Sequence, residues 1–115
     1  MRARASMLTL IAVVTSGLLG CNDQPDATAA KPQPATHTVT MEAVAYKPEV
    51  VTMKVGDSIV WVNKDPYPHT ATATGSFDSK EMLPDKSFTF TATTRGELHY
   101  VCTFHPTMKG AIVVK

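Results

Sequence analysis

From His37 onward the chain alternates polar and apolar residues with a period near two, is rich in β-branched side chains and meets turn signals at short intervals. That pattern predicts strands at about Thr38–Ala45, Val50–Val55, Ser58–Asn63, Thr70–Ala73, Ser87–Ala92, Glu97–Cys102 and Ala111–Lys115. Gly56-Asp57 and Thr94-Arg95-Gly96 supply turns between them. Ser87-Phe88-Thr89-Phe90-Thr91 alternates cleanly, which turns Phe88 and Phe90 toward the core. Leu98, Tyr100 and Cys102 share one face of the next strand, and His99 belongs to the other. No stretch has a sustained helical period, although Ser79–Asp85 has room for a turn or two. Short strands at this spacing predict an all-β fold, a Greek-key β-sandwich of about seven to eight strands.

The first twenty residues stand apart from this pattern. Arg2 and Arg4 are followed by a mostly apolar run from Met7 to Leu19, too short to span a bilayer comfortably but suited to a secretory signal. Leu18-Leu19-Gly20-Cys21 resembles the bacterial lipobox, in which the cysteine is lipidated and becomes the mature N-terminus. From Asn22 to Thr36, three prolines and four alanines among scattered polar residues make a flexible tether. The expected organisation is therefore a signal peptide at 1–20, a lipidated N-terminus and tether at 21–36, and one domain at 37–115. Such a protein faces the periplasm in a bacterial cell envelope, held to a membrane by the lipid on Cys21. The alternative is an ordinary signal peptide with a cysteine nearby.

Charge adds an exclusion. The chain has 11 Lys and Arg against 10 Asp and Glu, with no cluster of basic residues, so it is not a nucleic-acid binder. The cysteine count matters more. An exported protein with two cysteines normally forms one disulfide. If Cys21 carries lipid, Cys102 is left as a lone thiol in an oxidising compartment.

That thiol has suggestive neighbours. Cys102, His105 and Met108 place a thiolate, an imidazole and a thioether at three-residue intervals on one loop, and His69 offers a second imidazole after Lys64-Asp65-Pro66-Tyr67-Pro68. Soft sulfur with imidazole selects copper, and a plane of two His and one Cys with a distant Met is the blue-copper arrangement. Taken singly, Met108 reads as packing, His69 as a solvated loop residue and Cys102 as a small buried hydrophobe. Only the combination accounts for all of them together. Zinc fits less well, because thioether is a weak ligand for it and no fourth hard or thiolate donor is evident. A Cys–His nucleophile lacks an orienting group and a cleft, and a dinuclear copper centre needs a second loop cysteine. His37, where the tether ends, and His99 are read as solvated surface residues.

These residues resemble the cupredoxins, the type 1 blue-copper family, and within it the amicyanin branch. The likeness runs from about Tyr46 to Lys115 and is carried by Tyr46-Lys47-Pro48, Val55 to Asn63, Pro68-His69, Phe77-Asp78-Ser79 and Gly96 to Gly110. Plastocyanin-like members have four residues between the loop His and Met, amicyanins two; here Pro106 and Thr107 are those two. The resemblance implies an eight-stranded Greek-key sandwich with one copper ion, cycling between Cu(I) and Cu(II), at one end. His69, Cys102 and His105 would be its equatorial ligands and Met108 the weak axial one. It also implies an electron exit at His105 within an apolar patch, to which Phe104, Pro106, Pro66, Tyr67 and Pro68 would contribute. One departure stands out. The family usually has Asn after the first His, tying the two ligand loops together; Thr70 stands here, so the tie to Thr103 should be shorter or lost, and the potential shifted.

The expected function is a single-electron shuttle, monomeric, docking transiently near His105 with a redox donor and a redox acceptor. It is not an enzyme, since an axial Met leaves no open coordination position. The alternatives are a periplasmic copper carrier or buffer, which would release Cu(I) readily, and a copper module serving one redox enzyme. On its short loop, His105 is expected to leave reduced copper in mild acid.

Overall fold

The computed structural model describes residues 33–115 together with Gly17 and Gly20, so the expected signal segment, the lipid acceptor Cys21 and most of the tether lie outside the described residues. Nine strands form: β1 (Thr36–Met41), β2 (Tyr46–Lys47), β3 (Val50–Met53), β4 (Ser58–Asn63), β5 (Thr72–Ala73), β6 (Phe77–Asp78), β7 (Ser87–Thr91), β8 (Gly96–Cys102) and β9 (His105–Val114). They make two sheets, one ordered β2-β1-β4-β7 and the other β3-β9-β8-β5-β6. β1 runs parallel to β4, with Thr36 opposite Ser58 and Met41 opposite Asn63. β3 runs parallel to β9. Because neither parallel pair can be joined by a hairpin, the chain crosses between sheets, which gives the expected all-β Greek-key sandwich.

Alternation fills the space between the sheets. Val39, Met41, Ile59, Trp61 and Ile112 are fully buried, with Met53, Met82 and Tyr100 nearly so. Phe88 and Phe90 close the core from β7 as half-buried residues. The scattered methionines Met41, Met53 and Met82 are thus core packing.

Four details differ from the sequence-based expectation. The first strand ends at Met41 instead of Ala45, because Ala43 and Val44 turn into the left-handed region and Tyr46–Lys47 pairs back on β1. β2 and β6 are two-residue strands, too short to carry a period. The last strand begins at His105 instead of Ala111 and reaches Val114. His37 lies within β1, half-buried, with Nε2 3.0 Å from Asp57 Oδ2, instead of being a solvated residue at the end of the tether. His99 is exposed beside Glu97, on the face away from Cys102, as the alternation requires.

Candidate metal centre

The end of β4 shapes one side of the site. Asn63 is fully buried, and its side chain acts as a spacer for the loop that follows. Its Nδ2 donates to the carbonyls of Tyr67 and Met82, both at 2.9 Å, while its Oδ1 accepts from the amide of Asp65 at 3.0 Å. The loop then reaches His69, which pairs with Met82 through two backbone hydrogen bonds of 3.1 and 2.8 Å. His69 is fully buried, which fixes its ring orientation.

The other side is the β8–β9 hairpin. Cys102 ends β8 opposite His105, while Val101 lies opposite Lys109. Across one step of β8 the partner strand therefore advances four residues, and Pro106-Thr107-Met108 bulges from the ladder. That bulge re-aims Met108 into the interior, where it is buried. Cys102 is also buried and has no disulfide partner among the described residues.

Folding brings three of the expected donors, His69, Cys102 and His105, together. Sγ of Cys102 lies 3.7 Å from Nδ1 of His69 and 3.7 Å from Nδ1 of His105. One ligand atom from each of the three residues lies within 4.8 Å of the others. The two imidazole rings meet edge-on, with centroids 5.0 Å apart and planes at 63°. A first-row metal bonded at about 2.3 Å to sulfur and about 2.0 Å to nitrogen, with angles of roughly 120°, requires a sulfur–nitrogen separation of about 3.7 Å. The donor cluster thus has sulfur–nitrogen spacings that fit a single shared ion, with soft sulfur and imidazole chemistry that suits copper.

The surrounding groups hold these atoms in place. Thr70 donates its amide to Cys102 Sγ at 3.4 Å, a contact that favours the thiolate. Its carbonyl accepts from the hydroxyl of Tyr46 at 2.6 Å. Burial, followed by the nearby Cys102, pushes the Tyr46 phenol well above its ordinary value, so it stays a neutral donor.

The unforeseen residue is Asp65. It is buried, and its Oδ2 lies 2.7 Å from His69 Nε2. Burial works against its charge, but the Val44 amide, the His69 ring and the Ala43 amide outweigh that effect and hold the carboxyl below its ordinary value. An ionised carboxylate only accepts, so this contact is a hydrogen bond when His69 carries its proton on Nε2, which leaves the Nδ1 lone pair facing Cys102. The spacing Asp-x-x-x-His was the signal available in the sequence.

Near the donors in space or in sequence, Tyr67, Leu83 and Phe104 are exposed large apolar residues, Leu83 following the His69 partner Met82 and Phe104 preceding His105. Tyr67 and Phe104 were expected there; Leu83 was not, and it arrives because Met82 pairs with His69. The Tyr67 ring lies 5.7 Å from His69 and 6.2 Å from His105, centroid to centroid.

A sequence model of the Cupredoxin-like domain matches residues 8–114. Amicyanin of Paracoccus versutus is 30% identical over 100 residues, covering 82% of this chain and 75% of that protein. A solved structure of a reduced amicyanin variant superposes with a TM-score of 0.65 at 30% identity, covering 70% of this chain and 82% of that one. A copper-containing nitrite reductase from Thermus scotoductus matches with a TM-score of 0.65 at 28% identity, covering 75% of this chain but 23% of the enzyme.

Proposed function

The chain belongs to the cupredoxin-like family, as an electron-transfer protein that binds one copper ion, and from that premise we propose that His69, Cys102, His105 and Met108 are its ligands. The observation that carries this reading is the pair of equal 3.7 Å separations from Cys102 Sγ to the two imidazole Nδ1 atoms. His69, Cys102 and His105 would hold the ion through two imidazoles and a thiolate, and Met108 would offer a weaker thioether donor. Copper supplies the single-electron chemistry by cycling between Cu(I) and Cu(II).

The protein's own residues keep that cycle inexpensive. His69 is locked by Asp65 and by its backbone pairing with Met82, and Cys102 is held by the Thr70 amide. Little moves when the charge of the ion changes. His105 is the more accessible imidazole, at the edge of a surface formed by Tyr67, Leu83 and Phe104. A compact apolar surface of this kind suits brief docking by one redox protein that donates and another that accepts. Burial of His69, Cys102 and Met108 supports retention of the metal over the carrier role.

The remaining assignments rest on the sequence. Residues 1–20 act as a secretory signal, Cys21 carries lipid, residues 21–36 form the tether and 37–115 the copper domain. The protein then works as a monomer on the periplasmic side of a bacterial envelope membrane. Replacing Cys21 with Ser should release the mature protein into the soluble fraction.

The ligand assignment is tested by absorption. Copper-loaded protein should be intensely blue, with a band at roughly 600 nm from thiolate-to-Cu(II) charge transfer. Cys102→Ala should abolish that band, and a colourless protein that fills with zinc in preference to copper would overturn the assignment.

A further inference from the structure

Residues 42–45 join β1 to β2, and two consecutive members of that turn, Ala43 and Val44, have φ of 54° and 56°. Left-handed backbone is unfavourable for any residue with a Cβ and most of all for a β-branched one. Gly or Asn would be the ordinary occupants of such a turn. The turn is closed by reciprocal hydrogen bonds between Glu42 and Ala45, of 3.0 and 3.2 Å, and Val44 packs against the core.

Strain of this kind persists only where the surroundings over-determine it, and it gathers at functional sites. Here the surroundings include, besides that closure and packing, one carboxylate that accepts from both strained residues. Ala43 donates its amide to Asp65 Oδ1 at 2.7 Å, and Val44 donates to Oδ2 at 2.9 Å. Successive amides converging on an anion in this way form a nest. The same Oδ2 accepts from His69 Nε2. On its other side the turn borders a cavity of about 140 Å³, lined by Val44 and Tyr46 together with Thr107 and Met108. The strained turn is thus linked through Asp65 to His69, and it lines one cavity together with Met108.

We propose that the Ala43–Val44 turn is a positioning element for the metal centre: its two amides fix Asp65, and Asp65 fixes His69 with Nε2 protonated and Nδ1 free for the metal. The inference rests on the ligand assignment given above. A fixed carboxylate behind the imidazole increases its donor strength and places negative charge near the ion. Both effects favour Cu(II), so the turn holds the potential lower than a neutral partner would. A merely structural turn would satisfy Asp65 without influencing either the His69 tautomer or the potential.

The experiment begins with the metal-free wild-type protein. Long-range ¹⁵N–¹H NMR should find His69 with its proton on Nε2, and the amide protons of Ala43 and Val44 should lie far downfield. Finding the proton on Nδ1 overturns the proposal without need of any variant. In Asp65→Asn, both amide resonances should move upfield and the single His69 tautomer should be lost. Copper-loaded Asp65→Asn should remain blue with a raised potential, and Asp65→Glu, which keeps the charge, should lie closer to wild type. A blue Asp65→Asn at the wild-type potential, or the reverse order of the two variants, overturns the positioning role. Failure of the ligand assignment looks different: the wild-type protein itself would not turn blue.

Discussion

The backbone amide of Thr103 donates to the side-chain oxygen of Thr70 across 2.9 Å, which ties the hairpin carrying Cys102 to the loop carrying His69. Thr72 donates its hydroxyl to the same oxygen at 3.0 Å, and the Thr70 and Thr103 hydroxyls lie 3.3 Å apart. Of the two outcomes expected without Asn at this position, a shorter tie or none, the structure has the shorter tie. A shorter side chain suffices because the Thr103 amide comes to it, and Thr72 braces it from behind.

Removing that oxygen should therefore cost stability while sparing the colour. Thr70→Val leaves the Thr103 amide without this acceptor, at a cost of about 1–3 kcal/mol in urea unfolding of the metal-free protein. The backbone amide of residue 70 still reaches Cys102 Sγ, so the loaded variant should remain blue. Thr70→Asn should fold and bind copper at a shifted potential; an unchanged potential would show that this position does not tune it.

Gly110 is required by Tyr100. A Cβ at position 110 would collide with Cζ of the Tyr100 ring, whose centroid lies 4.5 Å from that of Tyr46 and 5.3 Å from that of Trp61. The ring has little space into which to retreat, so Gly110→Ala should destabilise the fold by about 1–3 kcal/mol, as overpacked cores do. Combining it with Tyr100→Leu should recover part of that loss, measurable as a coupling energy in a double-mutant cycle.

Acid sensitivity should have a component at the end of the sandwich where β1 begins. The Asp57 carboxyl accepts from the amides of Ala35 and Lys54 and from His37, and these hold it down at about 2. Its folded value lies below its unfolded one, so its stabilising contribution is complete above about pH 4 and is lost as pH falls toward 2. Wild type should exceed Asp57→Asn in urea midpoint at pH 7, and the gap should narrow by pH 2.5. A gap that stays constant across that range would remove Asp57 from the acid transition.

Electron exchange should depend on Phe104 without help from any partner protein. Two copies meeting through their apolar surfaces would exchange electrons between Cu(I) and Cu(II) forms, a rate readable from NMR line broadening in mixtures. Phe104→Glu places like charges face to face and should slow self-exchange by about tenfold or more, equivalent to ~1.4 kcal/mol. The potential should move little by comparison, since Phe104 contributes no ligand atom and is exposed, where water and salt screen the added charge.

The donor set was legible because thiolate, imidazole and thioether at fixed intervals are chemically unusual together, whatever the fold. Strands β4, β7 and β8 were legible from alternation over five to seven residues. Asp65 was hidden because an Asp before Pro is an ordinary loop residue. Its role exists only once the amides of Ala43 and Val44 arrive from some twenty residues upstream. His37 was hidden in the same way, its partner Asp57 being 20 residues away. The start of β9 was masked by Pro106 and by the bulge, which breaks the period where the metal chemistry needs it broken.

The parallel pairing of β1 with β4 has a geometric outcome for attachment. It sets Thr36 beside Ser58, whereas Met41 and Asn63 lie at the end that leads to Asp65 and His69. The described chain therefore enters the domain at the pole opposite the candidate metal centre. The residues from Asn22 to Ala35 can reach at most roughly 50 Å when stretched. A mooring at Cys21 would then act as a leash fastened to the stern, leaving the apolar bow clear to meet partners over a radius set by the length of the line.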